Sequence, residues 1–197
     1  MAAFSAVYSV GDSLISYLRH AYELSHVEDK LPTCRFRLVP SSLMAGNENG
    51  DPPVELPGVS LFLYRVNVNE HLRNNSRTEG KASLPLDLHY LLTVWAEHVD
   101  EEHRILAWTM KQLHMHEALS ASDLTPDGGW SAGDMVHVIP AEISHEDLTR
   151  LWDTLRRPYR PSLTYVARVV RIDVPAKAPG KPVVARRFTF TDQAPEQ

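Results

Sequence analysis

From Leu84 to Leu119 the chain changes its hydrophobic period within a few residues. Leu86, Leu88, Tyr90, Leu92 and Val94 alternate with Asp87, His89, Leu91, Thr93 and Trp95, the period of an extended strand whose successive side chains face opposite ways. After the polar corner Glu97–Glu102, Leu106, Met110 and Leu113 recur at the spacing of a helix laid on a sheet. A strand and a helix of this kind build a scaffold; neither carries chemistry of its own.

The pattern continues on both sides. Ala3–Glu23 predicts an amphipathic helix with Val7, Val10, Leu14, Leu18 and Ala21 inward and Asp12, Ser13, Ser16 and Arg19 at polar positions. Gly11 weakens such a helix by about 1 kcal/mol relative to Ala, so packing must hold it. Cys34–Val39 is a short strand ended by Pro40, and Ser41–Pro57, rich in Gly, Pro, Asn and Ser, is a long loop. Loops of that length are either mobile or interaction surfaces. Ser60–His71 begins apolar on both faces, as a central strand does. The polar connection Leu72–Ser83, with Arg73, Arg77 and Lys81 against the single acid Glu79, joins it to Pro85–Trp95. A turn at Asp127–Gly129 precedes a strand over Met135–Ile139. Ser144, with Asp147 three residues on, caps a helix whose stripe is Leu148, Leu151, Trp152 and Leu155. Pro158 ends it, and Leu163–Ile172 is the last regular strand.

Beyond Asp173 the character shifts. The Pro-rich Val174–Pro182 cannot continue a central strand. Val183–Thr191 is strand-like again, and a polar end follows. The expected organisation is one domain over 1–173, with a linker and extended arm over 174–197. The fold expected is α/β, in an α+β-like arrangement: a mixed sheet of about five strands flanked by two or three helices.

Composition narrows the function classes. The 197 residues are 43% hydrophobic and 23% charged with a net charge of −5, an ordinary globular balance without the basic excess of a general nucleic-acid binder. The single cysteine, Cys34, forms no intramolecular disulfide and fits a reducing compartment, as a small buried hydrophobe. The start, MAAFSAVYSVGDS, shows neither the positive region nor the sustained apolar core of a signal peptide, and no run approaches the ~20 residues that span a bilayer. A cytoplasmic protein is expected, with no membrane insertion.

Catalytic templates fail one by one. His114, His116 and Glu117 lack the two histidines four apart of a zinc-protease helix. Ser144-His145-Glu146-Asp147 radiate around one helical turn and cannot form a triad; capping explains them. Asp127-Gly-Gly-Trp130 matches neither phosphate-binding glycine loop. The acidic run Asp100–Glu102 complements a helix N-terminus. No catalytic, cofactor or metal residue is assigned, and a non-enzyme is expected. What remains for contact with partners is basic or apolar: Arg73, Arg77 and Lys81 in one loop, Arg156, Arg157 and Arg160 at a helix C-terminus, and Val183, Val184, Arg186, Arg187, Phe188 and Phe190 in the arm. The basic residues either form a solvated helix end and a soluble arm, or meet acidic faces of neighbouring subunits and fix register there.

The ordered run of VSLFLYRVNVNEHLRN (Val59–Asn74), PLDLHYLLTVWA (Pro85–Ala96), a helix, and LTRLWDTLRRPYRPSLTYVARVVRI (Leu148–Ile172) resembles the cap family of extracellular contractile injection systems. The resemblance covers about Ser5 to Ile172. It implies a tail-terminator-like fold and a structural subunit, in a ring of six copies, closing the distal end of inner tube and sheath. Its partners would be itself, the tube protein and the sheath protein, without cofactor or nucleic acid, and release would follow lysis. Two other readings stay open: an adaptor or baseplate part of the same machine, and a small-molecule-binding α/β domain with a site that no motif marks.

Overall fold

Strand β3, Ala82–Trp95, is the axis of the fold, and its two faces are the two cores. The computed structural model describes residues 2–46, 50–70 and 82–174. In chain order these form α1 (Ala6–Ser25), β1 (Arg35–Leu38), the one-turn α2 (Ser41–Met44), β2 (Gly58–Val68), β3, α3 (Val99–Met115), β4 (Ala118–Ser120), a 3-10 turn at Pro126–Gly128, β5 (Met135–Pro140), α4 (His145–Thr154) and β6 (Ser162–Val174). The strands lie in the order β1-β2-β3-β6-β5-β4; β1 runs parallel to β2 and every other pair is antiparallel. Among the described residues, six strands and four helices stand where about five and two or three were expected.

The alternation in β3 sorts the layers. Leu86, Leu88, Tyr90, Leu92 and Val94 enter the larger core, where α1 and α3 cover the first face. Leu91 and Trp95 enter the smaller one, under α2 and α4 with Phe62, Met44, Leu148, Trp152 and Leu155. Each such side chain, fully buried, contributes about 1.5–3 kcal/mol. The α4 stripe and its cap are as the sequence indicates: Asp147 N donates to Ser144 Oγ at 3.0 Å.

Four expectations are corrected. In α1, Val10, Leu14 and Leu18 are buried as predicted, but Ser13 is not on the polar side. It is buried with Ser9 one turn earlier. Ser13 Oγ donates to Ser9 O and accepts from Thr125 N, while Ser9 Oγ donates to Thr125 O and accepts from Trp130 Nε1. The two serines pin the 125–130 turn to the helix, which satisfies polar groups that burial would otherwise penalise. In α3 the inward stripe is Ile105, Trp108, Thr109 and Leu113; Met110 is 45% exposed. The true stripe is carried by a Trp and a Thr, and Thr109 is buried because it donates to Ile105 O at 2.8 Å. The segment Ser41–Pro57 is not merely a surface loop: α2 buries Met44 completely, and Val54 is also buried. Finally β4, three residues long, had no visible period.

Gly11 has a packing reason. A Cβ there would lie 2.9 Å from Leu38 Cδ1 and 3.3 Å from the Tyr90 hydroxyl, so the glycine lets α1 approach the sheet.

Candidate interaction surfaces

The Arg156–Arg160 segment follows the last turn of α4, and its side chains do different things. Arg157 Nε donates to Met44 O at 2.8 Å, and its second nitrogen reaches Leu43 O and Ala45 O at 3.3 and 3.4 Å. Its guanidinium also lies 5.4 Å from the Trp95 ring centroid, and that of Arg160 lies 5.0 Å from it. Arg160 pairs with Glu102 at 3.7 Å. Burial lowers the Arg157 pKa, with Arg160 beside it adding to the shift. Two of the three arginines therefore close the smaller core, bonding orphan carbonyls of α2 and roofing Trp95. Arg156, exposed and at φ 54°, has no side-chain partner among the described residues. The six arm candidates Val183, Val184, Arg186, Arg187, Phe188 and Phe190, and the loop candidates Arg73, Arg77 and Lys81, lie outside the described residues.

The sheet manages its edges. β1 and β4 are four and three residues long, too short to template much pairing. Beyond β5, the free side of β6 is taken by Ala2, which donates to Arg171 O at 3.1 Å and accepts from Asp173 N at 2.9 Å. Between these two pairings β6 carries a bulge. Leu86 pairs with Val170 and Leu88 with Ala167, so Asp87 faces both Arg168 and Val169. Val169 adopts φ 66°, an outlier for a β-branched residue. Its amide donates to Asp87 Oδ1 at 3.3 Å, and Asn69 Nδ2 donates to the same carboxylate at 3.0 Å.

The second face of the sheet away from α4 is polar. Arg65 pairs across the strands with His89, and His137 pairs with Arg168. Arg65 Nε donates to Asn67 Oδ1 at 3.0 Å, and Asn67 Nδ2 lies 3.3 Å from His89 Nε2. Burial holds His89 below the ordinary imidazole range; the cations Arg65 and Arg168 add to this, and Asp87 opposes it. This cluster was missed in the sequence, because strand register alone brings its members together.

The remaining chemistry-bearing residues are structural. His114 and Glu117 form an exposed pair at 3.0 Å, and among the described residues no three His, Cys, Asp or Glu are grouped to hold a metal. Cys34 is half-buried against the larger core, and burial pushes its thiol up to about 12, the opposite of an activated nucleophile. No described helix is long and apolar enough to cross a membrane.

This fold, a six-stranded mixed sheet with α1 and α3 on one face and α4 on the other, is shared with solved tube terminators. The chain is similar to the sheath/tube terminator, in the extended state, of the extracellular contractile injection system PVC, with TM-score 0.54 and 19% identity over 95% of this chain and 64% of that one. It is also similar to the tube-terminating cap of the anti-feeding prophage, with TM-score 0.50 and 17% identity over 93% of this chain and 59% of that one. The chain thus spans less than two thirds of the length of either. It belongs to the Pvc16 N-terminal domain family, whose profile matches residues 9–186. No curated protein sequence matches it.

Proposed function

We propose that this chain is a structural terminator subunit of a phage-tail-like contractile injection system. Six copies form a ring that closes the distal end of the inner tube and engages the last sheath layer, stopping polymerisation and anchoring the extended sheath. The observation that carries this reading is the family match over residues 9–186, together with a fold shared along 95% of the chain with a sheath/tube terminator.

The chemistry of the chain supports a binding role. Among the described residues, buried Ser9, Ser13 and Thr109 serve packing, the half-buried Cys34 thiol is deactivated, and Arg65, Arg168, Glu97 and Asp100 lie on open sheet and corner surfaces. A ring subunit uses such surfaces in heterologous contacts that close by rotation. Hydrophobic contacts supply affinity and paired charges set register. The protein would be made in the cytoplasm and leave the cell with the particle on lysis.

Electron microscopy of particles from cells lacking this protein tests the proposal. Tubes and sheaths of scattered length, restored to one length by the complementing gene, are expected. Particles of normal length with closed ends would overturn it.

A further inference from the structure

Two oppositely charged patches lie apart on the surface of the described residues and do not pair with each other there. The first is the open half of the second sheet face. There Arg65 pairs with His89 across β2 and β3, His137 pairs with Arg168 across β5 and β6 two residues along from the His89 partner Val166, and Arg65, Arg168 and His137 are exposed. Helix α4 touches these residues only at their flank, where Arg150, Leu151 and Thr154 share a cleft of about 440 Å³ with Tyr64, Arg65 and His89. Acids nearby are largely engaged: Asp87 by Asn69 and the Val169 amide, Asp147 by Ser144 at 2.8 Å, and Glu146 by Arg150 at 2.5 Å. Glu142 stands at the rim of the cleft. Arg168 has no ion pair or side-chain hydrogen bond among the described residues, and Arg65 bonds only Asn67.

The second patch is the corner between β3 and α3. Glu97 and Asp100 are exposed there without partners among the described residues, Glu101 is half-buried, and Glu102 holds Arg160. Val99 stands among them, 70% exposed. Trp95 lies six residue steps along β3 from His89, roughly 20 Å at ~3.3 Å per residue, so the corner lies well beyond the basic face.

We propose that the basic face receives the acidic corner Glu97–Glu102 of a second copy of this chain, with Val99 at the centre of the contact, and that this contact links successive copies around the ring. The inference rests on the terminator reading for the ring itself. Charge complementarity chooses the occupant: in a chain of net charge −5, Arg65 and Arg168, without an ion pair among the described residues, stand on one face, and Glu97 and Asp100, likewise without one, stand on one corner. The patches differ, so each contact leaves a free face on one copy and a free corner on the other. Repetition then closes into a ring.

The test uses full-length protein in assembled particles and a short bismaleimide cross-linker. Arg65→Cys with Asp100→Cys gives a ladder of covalent species beyond the dimer, whereas either single variant gives none above the Cys34 background. A second series uses charge. Arg65→Glu with Arg168→Glu, or Glu97→Arg with Asp100→Arg, lowers the fraction of capped particles by about tenfold or more, and the four changes together restore it. A ladder that stops at the dimer overturns the proposal, as does no ladder on particles that remain capped. Full capping by either charge variant also overturns it. These results are separate from failure of the terminator reading, which shows instead as normal particles in cells lacking the protein.

Discussion

Arg157 donates through Nε to the backbone carbonyl of Met44 at 2.8 Å, across 113 residues of sequence. The bond ties the end of α4 to the one-turn α2 and roofs the smaller core. Arg157→Ala removes this bond, two longer ones and a cation over Trp95, and is expected to cost about 1–3 kcal/mol, read as a lower urea midpoint. Arg157→Lys keeps the charge but loses the planar fork, so it recovers only part of the loss. Arg156→Ala, at an exposed side chain without a partner, stays within about 0.5 kcal/mol of wild type. Equal effects at 156 and 157 would refute the division of labour between them.

Trp152 is 1% exposed, and its Nε1 has no hydrogen-bond partner among the described residues. Trp152→Ala should cost about 3–5 kcal/mol through the cavity left beside Trp95. Trp152→Phe should cost much less, because it also removes a buried donor that makes no bond. Denaturant titration of both variants checks the order; a Phe variant as unstable as the Ala variant would contradict it.

At the β6 bulge, Asp87→Ala leaves the Val169 amide without its acceptor and is expected to cost about 1–3 kcal/mol. Val169→Gly is expected to leave stability unchanged or raised, since a non-glycine residue at φ 66° carries roughly 1–2 kcal/mol of strain. Thermal melts should show a loss in Asp87→Ala and none in Val169→Gly. A large loss in the glycine variant would show that the valine methyls matter more than the strain.

Cys34 gives a pH signature. Its folded pKa, near 12, lies above its ordinary value of 9.0, so the unfolded chain holds fewer protons between those limits. The contribution is fully present below pH 9 and is lost as pH rises towards 12. Wild type should therefore lose more stability than Cys34→Ala over that window. An identical pH slope in both would contradict the burial of the thiol.

Periodicity in the sequence was informative where one face of an element meets one core. The five alternate residues Leu86–Val94 and the α4 stripe with its Ser144 cap sit as their spacing indicates. It misled where a polar residue is buried by a partner distant in sequence. Ser13 is inside because Thr125 is beside it, and Thr109 takes an inward position that a stripe of Leu and Met obscures. The arginines show the same limit: their spacing marks a basic helix end, but whether they bind carbonyls of α2 or a neighbour depends on tertiary contact. The pairs Arg65–His89 and Arg168–His137 share a face only once four strands are in register.

The central claim is tested most directly by cryo-electron microscopy of intact particles carrying this protein. The account predicts a ring of six copies at the distal end, in contact with the last tube and sheath layers. The same chain found at the baseplate end, or absent from the particle, would contradict it.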